Sequence, residues 1–200
     1  MPKIKHTKNE LKTQRDALLR FRRYLPTLEL KKQQLQVEVR RLQRALEEKQ
    51  AEYDRLMAGL ESWVALFAED AGLETLIRLA EVRVSETNIA GISIPVFQEA
   101  VFERKAPDLF DTPPWIDDAM DFLESAQRAL IEKRILEQEL ALLKEELLVT
   151  SQRVNLFEKI KIPEAAENIR VIRIFLGDEQ TAGVARSKIA KAKSEALRSA

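Results

Sequence analysis

The chain has 200 residues, with 33 Lys/Arg balanced by 33 Asp/Glu, five glycines, no cysteine and 6% aromatic residues. The lack of cysteine excludes a disulfide framework and a thiolate metal site, and fits a reducing compartment. The Leu/Glu/Lys/Arg/Ala/Gln-rich mixture is that of long helices, not of a compact globule rich in turns.

Met1-Pro2-Lys3-Ile4-Lys5 is not followed by the apolar stretch of a signal peptide. No run reaches the ~18 apolar residues of a membrane span. A soluble or membrane-peripheral chain is expected. Residues 1–23 hold eight Lys/Arg against two acids, and residues 184–200 hold five against one, so both ends are basic and the body between them carries −10. Such ends meet acidic protein surfaces or nucleic acid.

Thr7-Lys8-Asn9-Glu10 reads as a capping box that opens a helix. From Leu11 a heptad follows. Its a positions are Leu11, Leu18, Leu25, Lys32, Val39, Leu46, Tyr53, Leu60 and Phe67. Its d positions are Gln14, Phe21, Leu28, Leu35, Leu42, Lys49, Leu56 and Trp63. Fourteen of these seventeen are apolar, which favours a coiled-coil seam over a globular helix. A helix over 7–69 would be about 95 Å long at 1.5 Å per residue, ending near Ala71-Gly72.

Residues 70–114 form an insert of different character. Val82–Phe97, "VRVSETNIAGISIPVF", alternates, turns at Asn88-Ile89-Ala90-Gly91 and alternates again. It predicts a short β-hairpin with Asn88 and Gly91 in the turn. Pro95 cannot donate to a ladder, so its strand should be an edge. Residues 104–114 read as a Pro/Asp-rich loop.

Thr112-Pro113-Pro114 predicts the start of a second long helix, with Thr112 as N-cap and Asp117 and Asp118 at its positive end. Apolar residues recur from Ile116 to Leu176 and fade near residue 180. The fold class expected is mainly α: a long antiparallel two-helix coiled coil of residues 1–69 and 115–200, closed at one end by the 70–114 insert. This pairing would bring both basic ends to one tip.

Catalytic patterns are absent. There is no phosphate-binding Gly-rich loop, and Gly177 and Gly183 stand alone. The single histidine, His6, neighbours a capping residue and carries no expected chemistry. Trp63, Phe67 and Trp115 are expected to pack insert against helices. No catalytic residue, cofactor or metal ligand is assigned.

"TKNEL" (Thr7–Leu11), "SETNIAGISIP" (Ser85–Pro95) and "SQRVNLFEKIKIP" (Ser151–Pro163) occur in this order. Together they resemble the D subunit of the V-type (A/V-type) ATPases and ATP synthases. The block from Arg153-Val154-Asn155 to Ile162-Pro163 is the most specific part. "YLPTLELKKQQL" (Tyr24–Leu35) departs from the commonest pattern and looks closer to a divergent bacterial branch. Thr181-Ala182-Gly183-Val184 stands where an aromatic-rich stretch is common.

The resemblance implies a non-catalytic central rotor axle. Its paired helices would enter a hexamer of A and B subunits. The funnel-shaped C (or d) subunit would link it to the membrane ring, and the small F subunit would bind along it. It implies a place at the cytoplasmic face of the plasma membrane, with no membrane insertion and no nucleic-acid partner. Within that frame Arg15, Arg20, Arg22, Arg23, Arg186 and Lys188 are the expected bearing contacts with the hexamer.

Three other architectures share some of these features. A prefoldin-like chaperone chain needs less insert than 70–114. A nucleic-acid-binding coiled coil would show aromatics among its basic residues. The F-type γ axle carries a much larger α/β insert.

Pro26 and Pro163 remain. Each lacks an amide donor and crowds the carbonyl four residues back. Antiparallel pairing is expected to bring them to one height, giving a kink shared by both strands, with a true helix break at Pro163 as the alternative.

Overall fold

The computed structural model describes residues 4–69, 72–108 and 112–198, and the chain divides into two compact units. Residues 1–30 with 150–200 form the first unit; residues 31–149 form the second. Helix α1 (Lys8–Leu60) contributes to both.

The cap at Thr7 is present: its Oγ1 accepts from the Glu10 amide at 3.2 Å. The Glu10 carboxylate turns instead to the Gln14 side chain, which donates to it at 2.8 Å. All seventeen heptad positions, from Leu11 to Phe67, are buried or half-buried. The period of the apolar pattern therefore places the seam correctly along the whole helix.

α1 ends at Leu60, earlier than residue 69. Gly59 weakens the last turn, and the Ser62 hydroxyl donates to the Gly59 carbonyl at 3.2 Å, taking up an end-of-helix acceptor. A 3₁₀ segment, Val64–Ala68, carries the chain onward. Gly72, at φ 66°, then precedes the single turn of α2 (Leu73–Leu76).

The hairpin is longer than the 82–97 expected. Strands β1 (Ile77–Ile89) and β2 (Ile92–Arg104) pair antiparallel in a two-stranded sheet. Ala80 and Gln98 have no partner in the ladder and mark two bulges. Bulges interrupt the alternation that sequence reading relies on. The turn is where the residues place it. Ala90 (φ 53°) and Gly91 (φ 86°) are its two central residues, the arrangement a tight hairpin needs. The Gly91 amide donates to Asn88 Oδ1 at 3.0 Å. Pro95 lies opposite Glu86, on an edge as expected.

In the second unit the hairpin lies on the paired helices. Its distal residues Ile89, Ala90, Ile92, Ile94 and Val96 pack with Leu35, Val39 and Leu42 of α1 and with Leu140 and Leu143 of α3 (Ile116–Leu156). Its proximal Ile77 and Phe102 pack with Ile116 and Met120. Thirteen strand residues span about 43 Å. The helix from Ile116 to Leu143 spans about 40 Å. The two lengths match, so the packed ends of the hairpin fall at the two ends of this stretch.

Ion pairs complete the unit. Arg104 reaches Asp121 at 2.8 Å and Glu124 at 2.6 Å, tying the hairpin base to α3. Lys31–Glu146 at 2.7 Å and Lys49–Glu132 at 2.9 Å cross between α1 and α3 and run in antiparallel register. Trp63 contacts Phe67 and Phe122, and Phe67 contacts Trp115, with ring centroids 5.3–5.6 Å apart. This is the aromatic packing expected of those residues.

Thr112 is not the N-cap of α3. Its hydroxyl donates to the Asp108 carbonyl at 2.6 Å, and the helix begins at Ile116, whose amide donates to the Pro113 carbonyl. Asp117 and Asp118 do occupy the first turn. Residues 109–111 of the expected loop lie outside the described residues.

Candidate functional site

The first unit holds every residue expected to act as a bearing. α1 pairs there with the end of α3, a π-helical segment (Phe157–Lys161) and α4 (Ile162–Arg198). Three contacts set the register. The His6 and Phe175 rings are 4.8 Å apart, Asn168 donates to Gln14 at 3.4 Å, and the Phe21 and Phe157 rings are 5.3 Å apart.

Arg15, Arg20, Arg22 and Arg23 are all exposed, with no ion-pair partner among the described residues. Nearby carboxylates on the opposite strand are engaged locally instead: Glu164 with Lys161 at 3.1 Å and Glu167 with Arg170 at 2.6 Å. The Arg170 guanidinium holds the Glu167 carboxyl below its ordinary value. The four arginines stand as exposed cations along the paired section.

Arg186 and Lys188 are exposed as well, but at a different height. They lie eleven and thirteen residues past Phe175, at least about 16 Å beyond its contact with His6. From Gly177 to Ala196 every residue is exposed except half-buried Gly183. The helix expected to fade near residue 180 persists to Arg198, about 32 Å past Gly177. The six residues thus form two basic groups, not one tip.

Charge sorts by unit. The first unit has eighteen Lys/Arg against nine Asp/Glu; the second has fifteen against twenty-four. A zero net charge conceals +9 and −9. Counting by unit needs the fold, so this signal was only partly visible at the two ends of the chain.

The prolines do not meet at one height. Pro163 falls between the levels of Asn168 and Phe157, opposite the α1 segment from Gln14 to Phe21. Pro26 lies outside that segment. The helical backbone is continuous through both, with Pro26 inside α1 and Pro163 just after the π-helical turns. A wider turn moves the carbonyl that Pro163 would otherwise strike. There is no helix break.

Chemically, the described residues of the site offer exposed cations on helical surfaces. Among the described residues there is no cluster of three metal-ligating side chains, and no helix is long and apolar enough to cross a membrane.

Comparison with known proteins gives one consistent result. A family model described as the ATP synthase D subunit matches residues 10–192. The V-type ATP synthase D subunit of Borreliella burgdorferi is 45% identical over 191 residues, covering 96% of this chain and 95% of that protein. The V-type ATP synthase D subunits of Chlamydia muridarum (35% over 196 residues, 95% of each chain) and Chlamydia pneumoniae (33% over 199 residues, 96% of this chain and 93% of that one) also match. With the matched region spanning the paired helices and the hairpin alike, the chain belongs to the ATP synthase D-subunit family.

Proposed function

We propose that this chain is the central-stalk rotor subunit of a V-type ATP synthase. It transmits torque between an A/B hexamer that makes or hydrolyses ATP and the membrane ring that moves ions. The observation that carries this reading is the family match across residues 10–192. The seam supports it: paired helices locked by interdigitating side chains resist relative twist, so torque applied at one end reaches the other. The chain itself does no bond chemistry in this role.

The basic first unit enters the hexamer in this proposal. Arg15, Arg20, Arg22 and Arg23 bear on acidic surfaces around the paired section, and Arg186 and Lys188 bear further along α4. Each exposed ion pair contributes only ~0.2–1 kcal/mol. That suits a rotor, which must release every contact in turn. The second unit meets the F subunit and, through the C (or d) subunit, the membrane ring at the cytoplasmic face. Pro26 and Pro163 bend their strands at separate heights, making the axle eccentric, so that three catalytic stations meet different faces.

The test is a tagged chain expressed with its own A and B subunits, followed by identification of captured proteins and ATP-driven ion pumping. The parent should capture nucleotide-binding A and B. Changing Arg15, Arg20, Arg22 and Arg23 together to Glu alters the charge of the first unit by −8. Pumping per ATP hydrolysed should fall several-fold, with the chain's own melting unchanged because these exposed side chains hold no ion pair among the described residues. Unchanged pumping in that variant refutes the bearing assignment; failure of the parent to capture A and B refutes the rotor reading.

A further inference from the structure

In the first unit, the two strands do not count residues alike. On α1 the inward positions Leu11, Gln14, Leu18, Phe21, Leu25 and Leu28 are spaced alternately three and four apart. On the other strand Thr150, Val154, Phe157, Lys161, Ala165, Ile169, Ile172 and Leu176 are buried or half-buried. Here the spacing after Phe157 is four, four, four, three and four. Had the alternation continued from Lys161, the seam would have reached Val171 and Phe175. Those are 37% and 46% exposed, whereas Ile172 is fully buried. The C-terminal strand therefore carries one surplus residue.

In an unbroken α-helix a surplus residue turns everything beyond it by about 100°. Ala165, Ile169 and Ile172 would then leave α1. A π-turn takes up one extra residue, and the π-helical segment Phe157–Lys161 sits where the count changes. The outer side of the segment is open: Glu158 and Lys159 are exposed, and Ile160 is 54% exposed. Pro163 removes one amide from the turn just beyond it.

We propose that Phe157–Lys161 is a register joint. It stores the surplus residue as a π-turn and so keeps the apolar face of α4 on α1. The joint is a property of the chain and stands or falls independently of the rotor reading. The competing cause is Pro163 alone, with the π-turn merely relieving its clash.

Two variants of the full chain separate these causes: Pro163→Ala, and deletion of Ile160 in the Pro163→Ala background. The readouts are amide hydrogen exchange of residues 158–162 and thermal melting followed by circular dichroism. With a surplus residue, Pro163→Ala alone keeps the π-turn and its fast exchange. The deletion removes it, slows exchange at those amides at least ~10-fold, and melts no lower than Pro163→Ala. Slowing by Pro163→Ala alone, fast exchange persisting in the deletion, or a deletion that melts below Pro163→Ala would each overturn the joint. In the last case α4 has been turned off α1.

Discussion

α1 carries one heptad through both units, yet its seam is deeply buried in only one. Leu35, Val39 and Leu42, in the second unit, are buried; Leu11, Leu18, Phe21, Leu25 and Leu28, in the first, reach only half-burial. The residue types are alike. The difference is a third layer: the hairpin places Ile94, itself 1% exposed, over Leu35, Val39 and Leu42. Without that layer the α1 side of the seam stays in contact with water, although Ile172 on the opposite strand is fully buried. A heptad therefore reports where a seam runs, and tertiary context decides how deep it is. The covered unit is acidic and the uncovered one basic.

The largest effect should come from probing that depth. Leu35→Ala opens a cavity in a site that is 0% exposed, and should cost about 2–5 kcal/mol. Leu18→Ala removes the same atoms from a half-buried site and should cost about 1 kcal/mol, since part of that side chain already meets water. Urea unfolding with a probe in each unit measures both, because the units need not unfold together. Equal costs would remove the distinction drawn between the two units.

The hairpin turn offers a smaller and more local test. Ala90 and Gly91 both adopt the left-handed region. A Cβ on Gly91 would meet no atom within 4 Å, so Gly91→Ala should cost about 1–2 kcal/mol through conformation alone. Ala90→Gly releases the same kind of strain in the parent and should stabilise by up to about 1 kcal/mol, less whatever packing its methyl gives against Leu35 and its neighbours. Both are read by thermal melting. Both effects should reach the second unit and leave exchange in the first unchanged. A matching shift in the first unit would mean that the hairpin supports both.

These comparisons also explain what the residues disclosed in advance. The seam, the Thr7 cap and the Ala90-Gly91 turn are short-range features, each governed by residues within a few positions. They were legible. The strand ends were not, because "IRLAE" and "QEAVFER" have helical composition and each contains or adjoins a bulge. Thr112 looked like a cap, but its hydroxyl found the Asp108 carbonyl first. The hairpin's return onto Leu35 and Leu143 is a long-range contact with no local signature. At the candidate site the cations were legible as a composition bias. Their division into two heights depends on where His6 meets Phe175, which no spacing within one strand reveals. The surplus residue in the C-terminal strand was present in the spacing, yet an isolated apolar pattern drifts enough to hide a single skip.

The smallest predicted effects are electrostatic, and they carry opposite signs in the two units. Glu139, on α3 in the second unit, is buried, and burial pushes its carboxyl above the ordinary value, with the Arg41 charge offsetting only part. The folded state then holds this proton to higher pH than the unfolded chain. Stability is full below the unfolded value of about 4.3, declines as pH rises through the folded value, and stays lower above it. Glu139→Gln should thus melt higher than the parent at pH 7 and equal to it below pH 4. Glu167, exposed in the first unit, is shifted the other way by its hydrogen bond from Arg170. Its contribution is present above the unfolded value and is lost as pH falls through the folded one. Glu167→Gln should therefore melt slightly lower than the parent at pH 7 and match it in acid. Melting curves of the three proteins from pH 3 to pH 8 decide both signs. If Glu139→Gln also melts lower at pH 7, the carboxylate is stabilised by Arg41 more than burial penalises it, and the covered unit holds its charges as favourably as the open one.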